Sequence, residues 1–221
     1  MKREIIKTSD GSTTIHIPEW NEQYHSIHGA IQEANHVYIQ HGLNYKTINE
    51  IAVLEIGFGT GLNSFMTFLE AQEKKLFIEY VGVEAYPILE EELLKLNYVA
   101  ELGATRFTKI FESFHSCSWE EKHQITSHFT LLKRKQFFHE IDDENKFDVI
   151  YFDAFGANGQ SAKLTSNGNS TWSITYNPSE YYGFGDTAIV TAINCVFNAG
   201  DWSLGEGKDT DENGDCIDFT I

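Results

Sequence analysis

The segment Glu55-Ile56-Gly57-Phe58-Gly59-Thr60-Gly61 sets three glycines at alternate positions behind a carboxylate. Glycines so spaced allow a tight turn and let a ligand approach the backbone closely. A helix beginning just beyond them adds unpaired N–H groups. The pattern is G-x-G-x-G, not the G-x-G-x-x-G that holds a dinucleotide pyrophosphate. Glu55, two residues ahead of the first glycine, suits a cationic ligand better than a pyrophosphate. Two further acids stand where strands end. Glu84 is placed to accept hydrogen bonds from ribose hydroxyls, and Asp153 lies at the sheet edge where open α/β folds bind ligands. S-adenosylmethionine (SAM), with its ribose, ammonium, carboxylate and sulfonium, satisfies all three acids. Each feature also has a plainer reading: the glycine loop as a simple turn, a strand-end acid as a helix cap.

The elements that must position these residues follow from periodicity. Ile51 to Ile56 is an apolar run of buried-strand type leading into the glycines, and Leu62 to Gln72 reads as the helix after them. Phe77 to Val83 reads as the next strand, Pro87 to Asn97 as a helix with proline in its first turn, and Phe147 to Phe152 as a strand running into Asp153. This alternation predicts a parallel sheet with crossover helices. Upstream, strand-like pieces flank the turn dipeptide Asp10-Gly11. Ile27, Ala30, Ile31, Ala34, Val37 and Tyr38 then predict an amphipathic helix over Ser26 to His41, with Gly42 as its C-cap. The expected organisation is a leader over residues 1–50, a nucleotide-binding-type domain over 51–156, and a β-rich tail over 157–221.

Bulk properties narrow the classes. The chain has 221 residues, a net charge of −17 and 41% hydrophobic residues. Such an acidic surface repels phosphate backbones, so nucleic-acid binding requires a local basic patch. Lys133-Arg134-Lys135 is the one basic cluster, read either as a solvated turn or as an RNA contact. No run is long and apolar enough to span a membrane, and no secretory signal follows Met1-Lys2-Arg3-Glu4, so the expected location is cytoplasmic. Three cysteines make no disulfide framework, a Cys195–Cys216 bridge requiring an oxidising compartment.

Leu54-Glu55-Ile56-Gly57-Phe58-Gly59-Thr60-Gly61-Leu62-Asn63 resembles the SAM-binding motif of the MnmD proteins and of the methyltransferase half of MnmC. Asp10-Gly11-Ser12, Tyr24 to Glu33, His36 to Ile39 and Gly42-Leu43 are similar to that family's leader, and Phe129-Thr130-Leu131 and Tyr151 to Phe155 to its later motifs. The resemblance runs from about Thr8 to Phe155. It implies a Rossmann-like class I methyltransferase that uses SAM to methylate the aminomethyl group on the wobble uridine of tRNA, giving 5-methylaminomethyl-2-thiouridine. By this resemblance Glu55, Gly57, Phe58, Gly59, Thr60, Gly61 and Asn63 belong to the cofactor-binding motif, Glu84 binds the ribose and Asp153 meets the reacting amine. Tyr24 and His25 either cover the pocket or only pack against the leader helix. No metal is implied.

After Phe155 the sequence departs from that family. Its proline-containing loop, Trp, helix and later strands are replaced by Gly156-Ala157-Asn158-Gly159-Gln160 and a Gly/Ser/Asn/Thr-rich stretch. An incomplete sheet and compromised activity are therefore expected. Gly168 to Thr175, Pro178 to Gly183 and Ile193 to Asn198 are similar to β-sandwich modules of secreted bacterial carbohydrate-active proteins. Trp172, Tyr181, Tyr182 and Trp202 would then be sugar-stacking or core residues. Asp209 to Asp215 echoes the start of a calcium loop but lacks the closing Glu, so an Asn-Gly turn is the simpler account. The competing reading of the chain is a non-catalytic fusion of a SAM-binding remnant with a β-sandwich interaction module. A nicotinamide-dependent oxidoreductase is disfavoured by the glycine spacing.

Overall fold

The computed structural model describes residues 2–19, 22–153, 164–166 and 172–174. The leader opens with β1 (Glu4–Lys7) and β2 (Thr13–Ile17), paired antiparallel across the Asp10-Gly11 turn as expected, and β2 pairs in turn with the short β3 (Glu22–Gln23). Asp10 holds the turn by accepting hydrogen bonds from Thr8 Oγ1 (2.7 Å) and the Ser12 backbone N–H (3.0 Å).

The leader helix starts later than its periodicity predicts, as α1 (Ala30–Ala34), and widens into a π-helical stretch over Asn35–Gln40. Residues 26–29 form a turn instead, with Glu33 capping the Ser26 N–H at 2.7 Å. In the π stretch His41 N–H reaches back five residues to His36 O, and the extra residue rotates Tyr38 inward against Tyr151, ring centroids 5.1 Å apart. Such local widening occurs often beside functional sites. Gly42 closes the segment, where a Cβ would lie 2.4 Å from Tyr38 O.

Next come β4 (Glu50–Ile56), α2 (Leu62–Lys74) and β5 (Phe77–Val83), close to expectation. The helix predicted over Pro87–Asn97 is instead two short pieces, α3 (Glu90–Leu93) and α4 (Tyr98–Glu101). Asn97, the residue from which α4 starts, turns its side chain to the leader, accepting from Thr13 N–H (2.8 Å) and donating to Gly11 O (2.9 Å). Then α5 (Thr108–Ser116), the hairpin β6 (Lys122–Thr126) and β7 (Phe129–Arg134), and β8 (Val149–Phe152) follow.

The sheet order is β6-β7-β5-β4-β8, parallel except for β6. Side chains alternate between its faces. Ile51, Val53, Ile78 and Tyr80 join the larger core beneath α2 and α5, where Phe65, Phe68, Phe111, Phe114 and Phe129 pack ring to ring at 5.0–6.3 Å. Each such buried ring contributes about 1.5–3 kcal/mol. Leu54, Val81 and Val83 lie on the opposite face with Ile150 and Leu132. Gly82 is obligatory on the crowded face, because a Cβ there would sit 2.3 Å from Phe58 Cδ2. Gly82→Ala is expected to cost about 1–3 kcal/mol by overpacking, read as a lowered thermal midpoint. An unchanged midpoint would mean the Phe58 ring can move aside.

Lys133 corrects the reading of the basic cluster as a solvated turn. It lies in β7, only 1% exposed, donates from Nζ to His115 O at 2.8 Å and sits 4.8 Å from the centroid of Trp119. Arg134 is paired with Asp143. Among the described residues no helix is long and apolar enough to cross a membrane. In the tail, β9 (Leu164–Ser166) and β10 (Trp172–Ile174) pair antiparallel. The Cys195–Cys216 pairing, the Asp209–Asp215 loop, Tyr181, Tyr182 and Trp202 lie outside the described residues.

Candidate active site

Parallel pairing brings the three acids of the sequence to one edge. Ile56 of β4 is in register with Val83 of β5 and with Phe152 of β8. The glycine loop, Glu84 and Asp153 therefore leave the sheet side by side, at its carboxyl edge. Backbone bonds fix the departures: Gly57 and Phe58 N–H both donate to Val83 O at 2.9 Å, and Asp153 N–H donates to Ile56 O at 2.8 Å. Gly57, Gly59 and Gly61 adopt φ values of 94°, 46° and 72°, the left-handed region that penalises side chains. Gly61 is the residue from which α2 starts.

The loop's acids have different surroundings. Glu84 accepts from Gly59 N–H (2.9 Å) through one oxygen and from Tyr86 N–H (2.8 Å) through the other. Each carboxylate oxygen can accept a second bond, so the half-buried Glu84 retains capacity for hydroxyls. Glu55 is only 1% exposed and sits on the sheet face beneath α2. It accepts from Tyr80 OH at 2.9 Å and from Asn63 Nδ2 at 3.0 Å. Burial, reinforced by the Asp153 charge, pushes its carboxyl well above the usual range.

Asn63 is the bridge. The same Nδ2 that holds Glu55 donates to Asp153 Oδ2 at 2.7 Å, so one amide spans two carboxylates. Its Oδ1 is buried without a hydrogen-bond partner among the described residues. Tyr38, carried inward by the π stretch, hydrogen-bonds Asp153 and reaches Phe152 O at 3.4 Å. Burial pushes the Asp153 carboxyl up to about 7, with Glu33 and Glu84 adding to the rise and the Tyr38 and Asn63 bonds opposing it. Its side chain is nonetheless 20% exposed, so it can meet a ligand.

The leader supplies a wall. His25 is buried, with Nε2 2.8 Å from Thr60 Oγ1, which also accepts from Tyr98 OH at 3.2 Å. Burial lowers its pKa to about 4, so it is neutral at pH 7. Its Nδ1 lies 3.9 Å from Asp153 Oδ2. The Tyr24 ring rests on Gly59, 3.0 Å from where a Cβ would stand.

Of the residues singled out from sequence, Glu55, Gly59, Thr60, Asn63, Glu84, Asp153, Tyr24 and His25 join one connected group. Gly57 and Gly61 shape its loop. Phe58 departs from the group: its ring is 3% exposed and turned into the core against Gly82, His115 and Trp119. Tyr38, Tyr80 and Tyr98 were not anticipated. Tyr80 carried a usable signal, being a hydroxyl in the otherwise apolar alternation of β5, whereas nothing in the sequence pairs Tyr38 or Tyr98 with these acids.

The glycine loop turns through positive φ at Gly57, Gly59 and Gly61, which keeps its backbone bare at the sheet edge. An acid with spare acceptor capacity stands at the neighbouring strand end, and a partly exposed carboxylate faces the loop from the other side. The donor set fits a cationic nucleoside.

No family model matches the chain. It is similar to proteins named tRNA 5-methylaminomethyl-2-thiouridine biosynthesis bifunctional protein MnmC. The relative in Leptospira borgpetersenii is 28% identical over 153 residues, 62% of this chain and 23% of that protein. The relative in Delftia acidovorans is 27% identical over 174 residues, 70% and 25% respectively. That in Campylobacter jejuni subsp. doylei is 29% identical over 171 residues, 67% and 26%. The chain thus spans about a quarter of the length of these relatives. Among solved structures, MnmC2 from Aquifex aeolicus matches with a TM-score of 0.51 and 23% identity, over 70% of this chain and 50% of that one. The chain therefore has the Rossmann-like α/β fold of that structure, dominated by a parallel sheet.

Proposed function

We propose that this chain transfers a methyl group from SAM to the aminomethyl group of the wobble uridine in tRNA, with residues 51–156 holding the donor and residues 1–50 walling the site. The observation that carries this reading is the register of β4, β5 and β8, which sets the glycine loop, Glu84 and Asp153 at one edge. The similarity to MnmC proteins supplies the substrate class.

When bound, SAM supplies an electrophilic methyl group on a sulfonium. Glu84 would orient the ribose hydroxyls, and the unpaired N–H groups in the first turn of α2 would receive the carboxylate of the polar tail. An amine attacks only when unprotonated, so the site must take its proton. Asp153, with a pKa of about 7, is ionised in half the molecules near neutrality and serves as that acceptor. Asn63 and Tyr38 hold its oxygens in place, and neutral His25 adds no competing positive charge. Transfer would form the N–C bond and leave the C–S electron pair on sulfur, the product departing as a secondary ammonium while Asp153 returns to solvent the proton it took from the substrate. Alignment of amine, methyl carbon and sulfur supplies much of the acceleration.

Glu55 has a different part from the one its motif position implies. With both oxygens occupied inside the core, it acts through Asn63 rather than on the ligand. Glu55→Gln is expected to leave SAM affinity within about threefold, because the Gln Oε1 can still accept from Asn63 Nδ2 while its amide N–H donates to the Tyr80 hydroxyl oxygen in place of the bond Glu55 accepts. A loss of more than tenfold would return Glu55 to direct contact.

Calorimetric titration with SAM, followed by transfer of a labelled methyl group to tRNA lacking the modification, tests the whole reading. Binding and transfer are expected. Binding without transfer favours the non-catalytic alternative, and no binding overturns the donor assignment.

A further inference from the structure

Arg3 lies one residue before β1 and far in sequence from the glycine loop, yet its side chain is only 10% exposed. Its Nη1 pairs with Glu92 Oε2 at 3.0 Å and reaches Pro87 O at 3.4 Å, and its Nη2 donates to Tyr86 O at 2.9 Å. Glu92 is equally enclosed, at 8%, and also accepts from Leu89 N–H at 2.6 Å. The guanidinium carbon is 5.8 Å from the centroid of the Tyr24 ring.

These contacts close a circuit. Arg3 holds the Tyr86 carbonyl, Tyr86 N–H holds Glu84, Glu84 holds Gly59 N–H, and Gly59 carries the Tyr24 ring, which returns to Arg3. A planar guanidinium is suited to this task, since it can serve a carboxylate, two carbonyls and a ring at once, which an ammonium cannot.

We propose that Arg3 is a positioning residue for the donor site, acting through Tyr24: it fixes the Tyr24 ring across Gly59 and so builds the wall against which a SAM nucleoside is held. This rests on the SAM reading above. Removing Arg3 also leaves the enclosed Glu92 carboxylate without its cation, so both ends of the circuit loosen together.

The test is a double-substitution cycle on the full chain, read by calorimetric titration with SAM and with S-adenosylhomocysteine. Arg3→Ala is expected to weaken both ligands about tenfold, and Tyr24→Ala to weaken them similarly. The pair is expected to weaken them little further, because the first effect travels through the second residue. Arg3→Lys, which keeps the Glu92 pair but serves fewer acceptors, is expected to recover part of the affinity. Thermal midpoints are recorded for each protein. Additive losses in the pair, or unchanged affinity in Arg3→Ala, overturn the proposal. So does a loss that follows the thermal midpoint in every variant, Arg3→Lys included. Absence of SAM binding in the parent protein is a separate result, which refutes the donor assignment itself.

Discussion

Asp153→Asn is expected to lower the rate of methyl transfer by 100-fold or more while SAM affinity stays within about threefold. The magnitude is that of a lost general base, about 10²–10⁴ in rate. Asn is nearly isosteric and can keep one bond to the Asn63 amide, so a failure of transfer is attributable to the missing carboxylate. The parent enzyme should lose activity as pH falls below about 7, where Asp153 takes up a proton, and the variant's residual rate should lack that limb. Stability moves the other way. A carboxyl whose folded pKa is raised stabilises the fold below its unfolded pKa and loses that contribution as pH rises through the folded value. The variant carries no such loss, so its thermal midpoint should exceed the parent's at pH 8 and match it near pH 4. The opposite contribution of His25, lowered to about 4, is common to both proteins and cancels. Turnover in the variant equal to the parent's would remove Asp153 from the reaction.

Gly59→Val is expected to weaken SAM binding by more than 100-fold with the sheet intact. Gly59 has φ +46°, a conformation costing an L-residue about 1–2 kcal/mol and a β-branched one more. Its Cβ would stand 3.0 Å from Tyr24 Cδ1, so the side chain must displace the ring or the loop. Either movement disturbs the N–H that Glu84 holds. Titration with SAM, alongside a far-ultraviolet dichroism spectrum matching the parent's, checks this. Retained affinity would mean that the loop does not hold the donor.

The parts that sequence reading recovers are those ruled by local periodicity. β5 and the start of α2 fall where alternation and the glycine loop put them, and the acids at strand ends converge because parallel register lines up their strands. What escapes depends on distant partners. Asn97 binds the leader turn instead of continuing the helix that stops at Leu93, and Lys133 turns inward because His115 O and the Trp119 ring await it. Glu55 looked like a ligand contact, yet the strand's two-residue alternation places it beside Tyr80 under α2. One omission was avoidable: Phe107, Ile110, Phe111 and Phe114 carry the helical spacing of α5.

The inward turn of Lys133 bears on how tRNA would be met. With that ammonium covered and Arg134 engaged by Asp143, the tripeptide Lys133–Lys135 offers little charge for displacing counterions from a phosphate chain. On a protein of net charge −17, association with tRNA would then gain little from long-range attraction, and its affinity would fall only gently with ionic strength. Discrimination would have to come from the shape of the anticodon loop and the stacking of an unpaired base.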